Sequence, residues 1–197
     1  MALSLPSTPK PRNMAPYLVS RRDEQSPPQG GSEGRTTRLG SKWAIRFTMP
    51  LMTYAEAMAW TDLETEADTV LMSIPQLGLT IGTPGAPVVD QAGQLGNTLN
   101  VRGCTAGFQV VKGQWVSVVT GGRRYLYRMR EDAQADGSGD IALPLRPLLR
   151  VAPADGDTVE IAAPKIEGFV RDLPANAFDT NSAGHVPGLQ FTIRERG

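Results

Sequence analysis

Trp115-Val-Ser-Val-Val-Thr120, Gly121-Gly122, Arg123-Arg-Tyr-Leu-Tyr-Arg-Met129 is the stretch on which the fold turns. Two runs rich in β-branched and aromatic residues flank two glycines. A two-residue hairpin connection needs positive φ at both central positions, which glycine adopts without steric cost. On the second run Tyr125, Tyr127 and Met129 fall on one face, opposite Arg124, Leu126, Arg128 and Arg130. This alternation predicts one core face and one strongly basic face.

The same grammar extends outward. Apolar segments divided by glycine, proline or Asp-Gly turns predict strands at 70–74, 77–81, 98–102, 108–111, 141–143, 158–162, 166–171 and 189–194. Upstream, Trp43, Ile45 and Phe47 alternate with Ala44 and Arg46 before Pro50, which predicts one more strand. Thr53-Tyr-Ala-Glu56 has the capping-box spacing, in which hydroxyl and carboxylate each satisfy a free backbone N–H, so one α-helix is expected over 53–65. The fold expected is mainly β, a split β-barrel or sandwich with that single inserted helix, occupying 41–197 as one domain.

Residues 1–40 read differently. They hold six prolines and little apolar clustering, and six basic against three acidic residues leave a local charge of about +3. Two readings stand: a disordered N-terminal arm, or an extended one that orders against a neighbouring subunit.

The 197 residues with 21 glycines and 16 prolines favour turns and strands over helix. Lys plus Arg (20) equals Asp plus Glu (20), so no overall field gathers nucleic acid or anionic membrane, and neither partner is expected. The uncharged run 69–89 is broken by Pro75, Pro84 and Pro87 and cannot form a spanning helix. Residues 1–11 lack the basic start and apolar run of an export signal, and a single cysteine suits a reducing cytoplasm.

Groups for chemistry are sparse, and no catalytic, metal or cofactor site is expected. His185, the one histidine, lies in Asn181-Ser-Ala-Gly-His-Val-Pro-Gly188, a loop sequence without hydrolase or metal-ligand spacing. Cys104, without a histidine to activate it, reads as a small buried apolar group. Asp62, Glu64, Glu66 and Asp68 alternate with Leu63, Thr65 and Ala67. They would line one face of an extended segment, better suited to a solvated or docking edge than to calcium. Asp136-Gly-Ser-Gly-Asp140 reads as a tight turn. The glycines form no phosphate-binding loop. The basic strand 123–130 suits an intersubunit salt-bridge surface better than a nucleic-acid platform, because its tyrosines and most arginines face opposite ways.

One order of features resembles a known family. It runs Gly103-Cys-Thr-Ala-Gly-Phe108, Val111-Lys-Gly-Gln-Trp-Val-Ser-Val118, Arg124-Tyr-Leu-Tyr127, Ala133-Gln-Ala-Asp-Gly-Ser-Gly-Asp140, Pro144-Leu-Arg-Pro-Leu-Leu-Arg150, Ala154-Asp-Gly-Asp157 and Pro164-Lys-Ile-Glu-Gly168. This is similar to tail-associated proteins of long-tailed bacteriophages, most of all the distal tail protein. The resemblance implies a non-enzymatic virion protein made in the host cytoplasm. It would form a six-fold ring (a homohexamer) at the tail tip, between tail tube protein and the tip or baseplate hub protein, near the tape-measure protein. The alternatives are another minor tail protein or a carbohydrate- or peptide-binding β module, whose mark would be exposed aromatics converging on a groove.

Overall fold

The computed structural model describes residues 2–25, 30–31, 34–37, 39–65 and 68–196. Its first elements are β1 (Ala2–Ser4), β2 (Asn13–Val19), β3 (Arg22–Gln25), β4 (Gly34–Thr37), β5 (Lys42–Thr48), β6 (Met52–Thr53) and α1 (Tyr54–Met58). A 3-10 turn at Thr61–Glu64 leads to β7 (Thr69–Ser73), β8 (Gly85–Val89), β9 (Thr98–Cys104), β10 (Gln109–Val110), β11 (Trp115–Thr120) and β12 (Arg123–Met129). The chain closes with β13 (Ala133–Gln134), β14 (Ile141–Arg146), β15 (Val159–Glu160), β16 (Lys165–Arg171), β17 (His185–Val186) and β18 (Gln190–Glu195). It is a mainly β protein, with one α-helix among the described residues.

Two six-stranded sheets carry the fold, ordered β1-β7-β16-β18-β5-β2 and β15-β11-β12-β14-β9-β8. The second nearly closes into a barrel. Its end strands meet where Val88 bridges Thr158 and Val89 N–H donates to Asp157 O at 2.8 Å. The expected hairpin sets its register, pairing Thr120 with Arg123 and Trp115 with Arg128, and both turn glycines have positive φ, 58° and 75°.

The expected core-and-basic division of β12 is overturned. Leu126 is buried with Trp115 in the core of the first sheet, while Tyr127 and Met129 lie in the barrel core. The hairpin is packed on both faces. Its arginines reach sideways: Arg124 pairs with Glu160 at 3.2 Å, and Arg128 donates to Gly113 O while lying 5.1 Å from the Trp115 ring.

Two strands from the first forty residues, β1 and β2, join the first sheet. β1 pairs with β7, Leu5 is buried, and β2 pairs with β5 along all seven residues. β2 is an edge strand, which tolerates Pro16 because an outward N–H has no ladder bond to lose. Beyond it the chain continues as β3 and β4, which pair with each other and, among the described residues, with no other strand.

The helix is shorter than expected. Its capping box is present, with Glu56 N–H donating to Thr53 Oγ1 at 3.4 Å and Thr53 N–H to Glu56 Oε2 at 2.9 Å. After Met58 the backbone tightens: Trp60 N–H bonds Ala57 O and Leu63 N–H bonds Trp60 O. Three-residue spacing aims Trp60 and Leu63 into the same core, which a 3.6-residue turn does less directly. The expected strand at 77–81 is a turn with Leu77 and Leu79 exposed. Gly85–Val89, absent from the expected set, is a strand whose register shift between Gly85 and Val88 accommodates Pro87 at the barrel seam.

Candidate functional site

The residues singled out for chemistry do not converge. His185 lies in β17 opposite Thr53, its N–H donating to Asn181 Oδ1 at 3.0 Å. Cys104 is buried in the barrel core. Burial, then the nearby Asp140 charge, pushes its thiol up and disfavours the thiolate. Asp136 organises a turn, accepting the N–H groups of Ser138 at 2.8 Å and Asp140 at 3.0 Å. Those bonds, Asp140's first, hold its carboxyl below the usual range.

The acidic stretch is not an extended ladder. Asp62 and Glu64 are exposed on the 3-10 turn, and Glu66 lies outside the described residues. Among the described residues no group of three or more His, Cys, Asp or Glu side chains is placed to hold a metal ion. No helix among them is long and apolar enough to cross a membrane. A cavity of about 300 Å³ is lined by residues that include Leu18, Asn97, Arg130 and Arg146. Among the described residues no carboxylate, imidazole or thiol lines it; its lining is mostly apolar, with Arg130 and Arg146 as its charged groups.

The polar groups that do converge join the sheets. β14 pairs with β12 only at Arg128–Arg146 and Met129–Leu145, so the N–H groups of Arg124 and Leu126 lie beyond the last pair. Carboxylates take that place: Glu167 accepts from Arg124 N–H at 3.0 Å and Glu195 from Leu126 N–H at 2.8 Å. The other Glu195 oxygen accepts Trp43 N–H at 2.6 Å, and the Arg150 guanidinium completes a buried ion pair. Burial pushes the Glu195 carboxyl up, against the pull of Arg150 and the two N–H donors. Trp43 and Trp115 meet edge to face across the same junction, centroids 4.9 Å apart.

Two surfaces remain without an internal partner among the described residues. One is the β2 edge with its β3–β4 extension, where Tyr17 and Leu18 are exposed. The other is the outer face of the first sheet, where Arg46, Arg171 and Arg194 are exposed. Neither was visible in the sequence. The arginines come from three segments, and β2 was hidden by Pro16 at its centre. Comparison with known protein families and with curated protein sequences finds no match to this chain.

Proposed function

We propose that this chain is a structural subunit that assembles with copies of itself, and that the assembly is the ring at the distal end of a phage tail. In that role it joins the tail tube protein to the tip or baseplate hub, with the tape-measure protein alongside, inside the virion. The protein acts by geometry rather than by catalysis. The observation that carries the reading is the β3–β4 ribbon, whose strands, among the described residues, pair only with each other. A lone two-stranded ribbon is marginal in water, so a ribbon of this kind gains stability against a neighbour. The adjoining β2 edge, with Tyr17 and Leu18 exposed, offers that neighbour unpaired backbone and apolar area. The phage assignment rests on the order of sequence features from Gly103 to Gly168.

The test is the mass of the full chain by light scattering across a concentration series. It is compared with a variant in which an Asn-Gly turn joins the paired residues Arg22 and Thr37. Deleting 1–40 outright is the wrong experiment, because it removes β2 from the sheet. A species near six subunits, lost in the shortened variant while its circular dichroism and melting temperature persist, is the expected result. Monomers at every concentration overturn the reading.

A further inference from the structure

The first sheet's outer face carries a built cluster of positive charge. Residues opposed across antiparallel strands share a face. The register therefore sets Arg171, Thr192, Arg46 and Ala15 in one row, and Phe169, Arg194, Ala44 and Tyr17 in the next. Arg46 and Arg171 flank Thr192 at one strand's spacing each, about 5 Å, and Arg194 stands two residues along the same strand. The side chains of these arginines make no hydrogen bond or ion pair among the described residues.

Two further observations point to an absent anion. Thr192 is 1% exposed, and its hydroxyl has no hydrogen-bond partner, a costly state for a buried polar group. Lys42, on the same strand as Arg46, has its ammonium pKa held down by burial first and then by Arg194, Arg150 and Arg21, against an opposing pull from Glu195. Of those cations Arg194 belongs to the outer-face rows, and its repulsion of Lys42 is the part that a negative partner on this face relieves.

We propose that this face docks carboxylates of a second copy of the chain, Asp62 and Glu64 on its 3-10 turn. The inference rests on the self-assembly reading above and names the contact that drives it. Guanidinium forks match carboxylates, and the Thr192 hydroxyl supplies a further donor between them. The occupant follows from charge balance. Twenty basic and twenty acidic residues leave the chain neutral, so a cationic face is matched by exposed carboxylates elsewhere on the same molecule. Asp62 and Glu64 are exposed and without a hydrogen bond or ion pair among the described residues. A head-to-tail contact between unlike patches builds rings or filaments. Three guanidiniums in two rows on a neutral protein do not make a track for a phosphodiester backbone.

Self-association of the full chain by sedimentation at about 50 mM and about 500 mM NaCl tests this, since exposed charge contacts are screened as the Debye length shrinks. We expect weaker association at high salt, and about tenfold or greater weakening in R46E/R194E and in D62K/E64K. Combining the four changes should restore association to within about threefold of wild type. Thr192→Val should raise the monomer's melting temperature while weakening association, because it removes an unpaired hydroxyl that the partner satisfies. Wild type that associates without sensitivity to salt or to R46E/R194E overturns this contact and leaves the assembly reading standing. Wild type that never associates overturns both. Binding of a single-stranded oligonucleotide that R46E/R194E abolishes, with association unchanged, assigns the face to nucleic acid and overturns the carboxylate inference.

Discussion

The Glu195 carboxylate accepts the backbone N–H of Leu126 at 2.8 Å, joining residues 69 positions apart in the sequence and two different sheets. It stands where a strand carbonyl would stand had β14 stayed paired with β12. The split between those strands is thus closed by a side chain, held by Trp43 N–H on one side and by Arg150 on the other.

Breaking this ion pair on one side should be costly, because Arg150, 6% exposed in its side chain, is left charged and buried. Glu195→Ala is expected to destabilise the fold by roughly 3–5 kcal/mol. Glu195→Gln, which keeps a hydrogen-bond acceptor, should cost less. The double variant Glu195→Leu/Arg150→Met should regain much of the loss, read as the midpoint of urea unfolding.

Tyr127, buried in the barrel core, has its phenol pushed up to about 12 by burial, against the opposing pull of Arg150. An unfolded tyrosine ionises near pH 10. The native state therefore keeps its proton over a range where the unfolded state loses it. Stability is fully present below about pH 10 and lost as pH rises toward 12, by roughly 3 kcal/mol. Tyr127→Phe should flatten that alkaline decline, and absorbance near 295 nm should show one tyrosine titrating late.

Glu160 gives the opposite sign. Burial alone would raise its carboxyl, but hydrogen bonds from Lys165, Ser117 and Arg124 outweigh that and hold it below its ordinary value. Its contribution is present above the unfolded value, about pH 4.3, and is lost as pH falls through the lower folded value. Glu160→Gln should lower the melting temperature at pH 7 and reduce its fall in acid.

Gly139 has φ of 87°, and a Cβ there would sit 2.2 Å from Cys104 O. Gly156 has a similar φ of 81° with open space around it. Gly156→Ala should therefore cost only the conformational penalty, about 1–2 kcal/mol. Gly139→Ala should cost clearly more because the β9 backbone must move. Paired denaturant midpoints separate the two.

Local chemistry was legible from residues alone wherever a few neighbours decide the outcome. The Gly121-Gly122 turn, the Thr53–Glu56 capping box, the Asp136 turn and the alternation of Trp43, Ile45 and Phe47 all satisfy their demands within a handful of residues. β2 failed that test because a strand with a proline at its centre, here Pro16, is acceptable only at a sheet edge, and an edge exists only once its neighbours are placed. Leu126 looked like part of a basic face because alternation reports two faces but not what covers each. The arginine row is the clearest case: Arg46, Arg171 and Thr192 share a face through strand register alone.

The sequence by itself determined a mainly β protein, its central hairpin, its helix start and the scarcity of groups for chemistry, because these follow from backbone preference and side-chain type. Only the tertiary structure decided the second packed face of the hairpin, the carboxylate-closed split and the cationic outer face. Each depends on register between segments far apart in the chain, and a one-residue slip would turn every one of those side chains to the other side.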